Sequence, residues 1–165
     1  MIQAGQICMS TERVIVQRSV VEQFRHVFST VTGQMFSSFQ VLVTPTAAHK
    51  NRMLVADAKS KGASILFESP SSRPAADSAA ATMPTTIVDG VTRAMDLYTV
   101  ESFGPITCMI VVESEEEAIA AANDSEYGLS SAVFTNNLLR ALRVARKLEV
   151  GYAYSFSQPA LFTIY

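Results

Sequence analysis

The segment Thr107–Glu117 (TCMIVVESEEE) holds the pattern on which the fold of this chain depends, a buried strand followed directly by a helix. The run from Thr107 to Val112 is strongly apolar, which is typical of a strand covered on both faces of a parallel sheet. Ser114 and Glu117 then form a capping box, and the neighbouring glutamates bring negative charge to the positive end of a helix dipole. The segment therefore predicts a strand over 107–112 and a helix that begins after Ser114.

The same alternation of strand and helix extends through the rest of the chain. Short runs rich in β-branched and apolar residues predict further strands at 13–17, 64–67, 85–88, 129–134 and 152–156. Strands that alternate with helices in this way indicate an α/β domain. We expect a three-layer α/β/α fold with a mostly parallel sheet.

Three further helices are predicted from their caps and their apolar periodicity. Ser19 is a candidate N-cap for the first, which Gly33 would end, and Thr46 is a candidate N-cap for the second. Asn136 or Asn137 would cap the third, which continues to Leu148. That last helix is expected to turn one apolar face toward the core, formed by Leu138, Leu139, Leu142 and Ala145.

The chain has 165 residues, which is the length of one domain with a hydrophobic core of its own. We place that domain at residues 1–152 and treat residues 153–165 as a separate C-terminal tail. Within the domain, residues 69–82 are rich in Pro, Ser, Ala, Arg and Asp without any period, which predicts an exposed loop.

Composition and charge argue against several classes of partner. The formal net charge of −2 gives no electrostatic reason to expect nucleic acid or an anionic membrane surface. No apolar run reaches the roughly 18–20 residues that cross a bilayer, and no secretory signal is evident. With only two cysteines, Cys8 and Cys108, a disulfide framework is not expected. We therefore expect a cytoplasmic protein in a reducing compartment.

Two short segments carry the chemical signal of the chain. The first is Gly5–Arg13 (GQICMSTER), and the second is Glu101–Pro105 (ESFGP). In this order and at this spacing they resemble the two signature segments of the aldehyde dehydrogenase superfamily. The likeness is greatest to the salicylaldehyde and vanillin dehydrogenase group. It extends over roughly residues 5–152, so residues 1–152 resemble the catalytic domain of the family, shortened at both ends.

The resemblance implies a role for three residues. Cys8 corresponds to the nucleophile that attacks the aldehyde carbonyl, after which hydride passes to the nicotinamide and water hydrolyses the thioester. Glu101 corresponds to the residue that holds the nicotinamide ribose, and Phe103 to the residue that packs beside the nicotinamide ring. The alternative reading is that Cys8 is an inert thiol and that Glu101 and Phe103 serve only packing and turn formation.

Other parts of the family's apparatus are not found in this sequence. In the family, the general base glutamate, the oxyanion-stabilising asparagine and the cofactor domain all precede the cysteine. In this sequence only seven residues precede Cys8. The chain has no Gly-x-Gly-x-x-Gly segment and no Gly-Gly pair. We therefore expect no cofactor for the isolated chain, and NAD only if a partner supplies the missing domain. His26 and His49 lie in no metal-ligand spacing, so no metal site is expected.

Three functions remain open on these grounds. The first is a stand-alone domain that binds a small hydrophobic molecule and catalyses a cofactor-independent isomerisation or cyclisation. The second is a fragment or split subunit of an NAD-dependent aldehyde dehydrogenase, and the third is a non-catalytic binding module. A domain shortened at both ends would uncover apolar surface and a sheet edge. We therefore expect a homodimer, or a tail that folds back over this surface.

Overall fold

The computed structural model describes residues 2–70, 79–156 and 162–164, which form one sheet of seven strands and one of two. Strands and helices are numbered in chain order. In spatial order the main sheet consists of β3 (Ser64–Glu68), β5 (Thr86–Asp89), β6 (Ile106–Val112), β1 (Arg13–Gln17), β9 (Phe162–Ile164), β7 (Ser130–Phe134) and β8 (Tyr152–Phe156). The small sheet pairs β2 (Gln40–Val41) with β4 (Thr82–Met83). The helices are α1 (Val21–Met35), α2 (Pro45–Ser60), α3 (Asp96–Thr99), α4 (Glu115–Asn123) and α5 (Leu138–Ala145).

Strand direction in the main sheet is mixed, with one direction in the majority. β1 pairs in parallel with β6, β6 with β5, and β7 with β8. β3 runs antiparallel to β5, and β9 runs antiparallel to both of its neighbours, β1 and β7. Five of the seven strands thus share one direction, and the predicted α/β fold with a mostly parallel sheet is confirmed.

The core lies on both faces of this sheet. On one face Val14, Val16 and Met109 pack with Val21 at the start of α1 and with Phe24 farther along that helix. On the other face the core is larger and joins strand residues to α2, α4 and α5, with members Ile15, Val88, Cys108, Ile110, Val133, Leu54, Ala58, Ala118, Ala121 and Val144. Successive residues of β1 alternate between the two faces, as the pleat of a strand requires. The three predicted layers are therefore present.

The two ends of α1 differ from the prediction. A 3-10 turn over Arg18–Val20 precedes the helix, so Val20 stands at the N-cap position and Ser19 is not the cap. Gly33 does not end the helix, which continues to Met35. A Cβ at Gly33 would lie 3.3 Å from the ring of Phe67, so the glycine lets α1 approach β3 closely. It serves packing between the helix and the sheet.

The caps of the later helices are local hydrogen bonds. Thr44, and not the predicted Thr46, caps α2: its hydroxyl accepts the N–H of Ala47 at 3.1 Å, and Pro45 is the first helical residue. Ser114 caps α4 as predicted, accepting the N–H of Glu117 at 3.1 Å. Asn137 is the cap of α5 and accepts the N–H of Arg140 at 3.0 Å.

The apolar face of α5 differs from the prediction. Ala141 and Val144 are buried, together with Leu148 just beyond the helix, whereas Leu138, Leu139 and Leu142 are 71%, 75% and 47% exposed. The buried positions follow the spacing i, i+3, i+7, which turns the small side chain of Ala141 toward the sheet. The three leucines therefore point away from the core, and Ala145 lies half-buried between the two faces.

Parts of the predicted loop and of the C-terminal tail belong to the two sheets, including the predicted strand over 152–156. Residues 71–78 of the predicted loop lie outside the described residues, but Ser69 is buried and residues 79–83 form a 3-10 turn and β4. In the tail, β8 continues the main sheet across the proposed boundary at residue 152, and β9 folds back between β1 and β7. Among the described residues no helix is both long and apolar enough to cross a membrane.

Candidate active site

The two signature segments lie side by side where the strands β1 and β6 begin. The loop that holds Cys8 leads into β1, and the loop that holds Glu101 leads into β6. These two strands are parallel neighbours, with Arg13 opposite Cys108, so the loops that precede them lie side by side. Strand order thus places residues about ninety positions apart at one site.

A cavity of about 220 Å³ lies between these loops and the end of α4. Cys8 and Glu101 both line it, as the sequence analysis expected for residues of one site. The rest of the wall mixes apolar and polar side chains, among them Met9, Ser10, Glu12, Arg13, Leu97, Tyr98, Val100, Ser125, Tyr127 and Leu129. A small molecule with an apolar body and one reactive polar group fits such a lining.

Cys8 is a free and exposed thiol at the wall of this cavity. In the described part of the chain no hydrogen bond or ion pair joins its sulfur to a base. The other cysteine, Cys108, is fully buried in β6, where burial raises the pKa of its thiol to about 12. Only the thiolate is a good nucleophile, so Cys8 is the cysteine available for reaction and Cys108 belongs to the core.

Glu101 and Phe103 lie two positions apart on the loop that leads into β6, which is the second loop of the site. Glu101 is half-buried in the cavity wall, and its backbone carbonyl accepts a hydrogen bond from Lys50 Nζ at 2.8 Å. Phe103 is 42% exposed and does not line the cavity. Its φ of 47° lies in the left-handed region, which costs about 1–2 kcal/mol for a residue with a side chain. The structure therefore brings Cys8 and Glu101 together and holds Phe103 beside them in a strained conformation.

Glu12 joins the two loops. Its carboxylate accepts three hydrogen bonds, from Ser102 N, Ser102 Oγ and Phe103 N, each at 3.0 Å. Burial raises the pKa of Glu12, and the hydrogen bonds from Ser102 and Phe103 act in the opposite direction. This carboxylate therefore ties the strained residue to the Cys8 loop.

Close contacts at two glycines, Gly5 and Gly104, also hold the second loop in place. Gly5 has a φ of +75°, and a Cβ there would overlap the carbonyl oxygen of Gly104. A Cβ on Gly104 would in turn overlap the side chain of Asn51. Asn51 is fully buried on α2, and its Nδ2 donates to the carbonyls of Ala47 at 2.9 Å and Ser102 at 3.0 Å. Glycine is needed at both positions, because a side chain at Gly5 would overlap the second loop and one at Gly104 would overlap Asn51 of α2.

Arg13 closes the cavity on the α4 side. It is 7% exposed, its guanidinium lies 4.6 Å from the centre of the Tyr98 ring, and its Nη2 donates to the carbonyl of Ala121 at 2.7 Å. A cation at the last carbonyls of a helix interacts favourably with the helix dipole. Arg13 thus fixes the end of α4 against the Cys8 loop.

Sequence reasoning missed four of the residues that shape this site. Glu12, Asn51, Ser102 and Arg13 were given no role, although three of them lie inside the segments that carry the resemblance. Their partners are distant in sequence, with 90 positions between Glu12 and Ser102. A usable signal was the placement of two charged residues at the start of a buried strand, with Glu12 directly before β1 and Arg13 as its first residue. Among the described residues no group of three His, Cys, Asp or Glu side chains is arranged to hold a metal.

Comparison with known proteins gives a consistent result. The model of the aldehyde dehydrogenase family matches residues 1–161. Salicylaldehyde dehydrogenase of Pseudomonas putida is 38% identical over 156 residues, which covers 89% of this chain and 31% of that protein. Vanillin dehydrogenase of Pseudomonas fluorescens is 35% identical over 158 residues, covering 91% of this chain and 31% of the relative. The chain therefore spans about a third of the length of these relatives.

Solved structures agree with the sequence comparison. The crystal structure of salicylaldehyde dehydrogenase from P. putida G7, complexed with salicylaldehyde, superposes with a TM-score of 0.82 at 37% identity over 92% of this chain and 32% of that one. Betaine aldehyde dehydrogenase of Staphylococcus aureus in complex with NAD+ gives a TM-score of 0.80 at 28% identity, covering 93% of this chain and 32% of the other. The resemblance expected from the two signature segments is thus confirmed. The chain belongs to the aldehyde dehydrogenase family.

Proposed function

We propose that this chain is the nucleophile-bearing part of an NAD-dependent aldehyde dehydrogenase, which converts an aldehyde to an acid. The observation that carries the proposal is that Cys8, a free and exposed cysteine, and Glu101 line one cavity. The nicotinamide-binding part would come from the remainder of a longer chain or from a second subunit. The coverage of 31% of a full-length relative supports a division of this kind.

The reaction begins at the sulfur of Cys8. Its thiolate attacks the carbonyl carbon of the aldehyde, a carbon–sulfur bond forms, and the carbonyl electron pair moves to oxygen. The apolar walls supplied by Leu97, Tyr98 and Leu129 hold the body of the aldehyde and limit the access of water. An apolar aldehyde is therefore the substrate class that this cavity suits.

Glu101 and Phe103 would hold the nicotinamide end of the cofactor. The exposed ring of Phe103 and the carboxylate of Glu101 offer an aromatic face and an acceptor for hydroxyl groups on one loop, so they fit this part of the molecule. No Gly-x-Gly-x-x-Gly segment occurs in the sequence to hold the phosphates. When bound, the nicotinamide supplies the hydride acceptor that amino-acid side chains lack.

A cofactor-independent isomerisation or cyclisation, which the sequence analysis placed first, stays a prediction. Its support is the apolar wall of the cavity, and that wall serves an apolar aldehyde equally well. The non-catalytic binding module also stays a prediction. It differs from the proposed function in one respect that can be measured, because it expects no effect when Cys8 is replaced.

Complementation tests the proposed function. The chain is mixed with a form of the P. putida salicylaldehyde dehydrogenase that ends where the similarity to this chain begins, and NADH formation from an aromatic aldehyde is followed. We expect activity in the mixture and none in either part alone. Cys8→Ala should lower the rate by about 10³-fold or more, since it removes the nucleophile.

The matched control for this experiment is Cys108→Ala, which removes a thiol from the core. It should leave the rate per folded molecule unchanged, because Cys108 is buried in β6 away from the cavity wall. NADH formation that survives in Cys8→Ala would refute the proposed role of Cys8. A mixture that binds NAD and aldehyde but forms no NADH would count against the dehydrogenase reaction.

The outer edge of the sheet is the proposed site of a homodimer contact. β8 pairs on one side with β7 and is the last strand of the sheet, and Tyr152, Tyr154 and Phe156 on it are 64%, 49% and 48% exposed. Helix α5, which carries the exposed leucines, contacts β8. An edge strand next to apolar side chains favours pairing with a second copy of the chain. Light scattering of the purified chain checks this, and a monomer at all concentrations would contradict it.

A reducing compartment suits this chemistry. Both cysteines are free thiols, and Cys8 is accessible to oxidants as well as to substrates. Cytoplasmic localisation, which was expected from the sequence, is therefore retained as part of the proposal. Fractionation of cells that carry an epitope-tagged chain would test it.

A further inference from the structure

Glu12 is a largely buried carboxylate whose neighbours are unusual. It accepts hydrogen bonds from two backbone N–H groups and one hydroxyl, all from the loop at residues 102–103. Among the described residues no Lys, Arg or His forms an ion pair with it. A buried carboxylate needs compensation for the lost hydration, and here the donors of one loop provide it. The interaction is therefore directional, because two of the three donors are backbone N–H groups.

The donors belong to the residues whose position matters for the proposed reaction. Glu12 Oε1 accepts the N–H of Phe103, the residue with a φ of 47°. Glu12 Oε2 accepts the N–H of Ser102, which directly follows Glu101 in the cavity wall. Since Glu12 lies four positions after Cys8, its carboxylate spans the gap between the nucleophile loop and the loop at 101–103.

Other contacts hold the second loop, but from different directions. Asn51 fixes the carbonyl of Ser102 to α2, and the Gly5–Gly104 contact fixes the backbone behind it. Neither reaches the N–H groups of Ser102 and Phe103. Removal of the Glu12 carboxylate would therefore leave the loop attached to the protein while freeing it from the Cys8 side.

We propose that Glu12 is a positioning residue that sets where Glu101 and Phe103 stand relative to the sulfur of Cys8. The inference rests on the proposed function, because it assigns the three residues to one reaction. Glu12 also lies in the wall of the cavity, but the role assigned to it is to act through the loop that it holds and not on the reacting atoms. The carboxylate is required in full, since both of its oxygens are used.

The test compares four variants of the 165-residue chain without any cofactor. Glu12→Gln keeps the shape but places an N–H group against one backbone donor. Glu12→Asp keeps the charge but shortens the side chain. Ser102→Ala removes the hydroxyl that donates to Glu12 and that also accepts the N–H of Gly104 at 3.2 Å. Glu113→Gln is the control, because Glu113 is an exposed glutamate at the far end of β6 that pairs with Arg18.

Two measurements are made on each variant, with urea denaturation to verify folding. The first is hydrogen exchange at the amides of Ser102 and Phe103 and, as the reference, at the amide of Val91, which donates to the carbonyl of Met109 at 3.0 Å. The second is the rate at which iodoacetamide alkylates Cys8, measured as a function of pH. In Glu12→Gln we expect exchange at Ser102 and Phe103 to rise about tenfold or more, with Val91 unchanged. The alkylation rate of Cys8 should change by about threefold in the same variant.

The other variants sharpen the result. In Glu12→Asp, hydrogen exchange at the amide of Phe103 should remain fast. Ser102→Ala should change the exchange rates less than Glu12→Gln does. Glu113→Gln should match the original chain. Faster exchange without any change at Cys8 would overturn the proposal and leave Glu12 a purely structural residue. Full rescue by Glu12→Asp would also overturn it, since charge and not position would then be sufficient. Neither measurement needs NAD, so a failed complementation experiment leaves this test intact.

Discussion

The loops around Glu12 precede the interior strands β6 and β1, whereas α5 and β8 lie at one edge of the same sheet, and the two regions differ in how far the chain covers their side chains and backbone groups. Around Glu12, backbone groups meet buried partners, and Gly5 and Gly104 let the loops touch. Along α5 and β8, six large apolar side chains are between 47% and 75% exposed, namely Leu138, Leu139, Leu142, Tyr152, Tyr154 and Phe156. The first region is complete within the chain, whereas the second presents a surface suited to a partner. The contacts of the first region hold the candidate site in place. The exposed side chains of the second region are those that the proposed homodimer would cover.

Crowding between the loops should give the largest loss of stability. Gly5→Ala places a Cβ against Gly104 at a φ of +75°, so the free energy of unfolding should fall by about 3 kcal/mol or more. Gly90→Ala is the control, because its φ is +74° and nothing lies within 4 Å of the new Cβ. It should cost about 1 kcal/mol from backbone strain alone. Urea denaturation measures both, and equal losses would show that the loops do not touch as described.

The next comparison is between Asn51, which lies at the candidate site, and Asn123, which joins α4 to the chain after α5. Asn51→Ala removes the donor to Ser102 O from a fully buried position and should cost about 2 kcal/mol. Asn123→Ala removes the hydrogen bonds to Lys147 O and Glu149 N, which tie the end of α4 to the chain after α5 in a more exposed setting. It should cost about 1 kcal/mol. A larger loss of stability for Asn123→Ala than for Asn51→Ala, measured by thermal unfolding, would contradict the stronger buried contacts described for the candidate site.

Two residues of α5 test its orientation. Val144 is 2% exposed, so Val144→Ala should destabilise the chain by about 2 kcal/mol through lost burial and a cavity. Leu142 is 47% exposed, so Leu142→Ala should change the stability of the monomer by less than about 0.5 kcal/mol. If α5 contacts a second copy, the effect of Leu142→Ala should grow with protein concentration. A loss at Leu142 as large as that at Val144 in dilute solution would show that the leucines face the core.

The smallest effect is expected from the ion pair that fastens α5 to α4. Arg143 donates to both oxygens of Glu115 at 2.8 Å, and this hydrogen bonding lowers the pKa of Glu115 below its ordinary value of 4.5. A lowered pKa in the folded state gives stability that is present above pH 4.5 and is lost as the pH falls through the lowered value. Glu115→Gln should therefore cost about 0.5 kcal/mol at neutral pH and progressively less as the pH falls below 4.5 through the lowered pKa.

Denaturation curves at several pH values check this last prediction. Glu116→Gln is the control, since Glu116 is an exposed glutamate of the same helical turn. It should show a smaller dependence on pH than Glu115→Gln. A difference between Glu115→Gln and the original chain that persists at low pH would mean that the ion pair is not its source.

Local sequence patterns predicted most of the fold. The apolar runs at residues 13–17 and 107–112 became adjacent parallel strands, and the caps at Ser114 and Asn137 are hydrogen bonds to residues three positions away. Such features lie within one window of sequence, so they can be recognised without the fold. The face of α5 could not be predicted in the same way, because leucines normally mark the buried side. Here an exposed apolar face and a buried face share one short helix.

The candidate site was predictable only in part, for the same reason. Cys8 and Glu101 were recognised because each lies in a distinctive segment, and the parallel pairing of β1 with β6 brings them together. Glu12 and Asn51 act on partners 90 and 51 positions away, and nothing near them in sequence indicates those partners. The antiparallel entry of β9 between β1 and β7 was likewise beyond local patterns, although a folded-back tail was one of two expected outcomes.

The contrast between the two thiols has a practical consequence for following the unfolding of this protein. Cys8 is exposed, whereas Cys108 lies at the centre of the sheet with a pKa of about 12. A brief pulse of a maleimide at pH ~7 should label the first in every molecule and the second only in molecules whose sheet has opened. Mass spectrometry of the doubly labelled fraction would then count open molecules directly. The chain carries its own internal reporter, with one sulfur as the reference and the other as the signal.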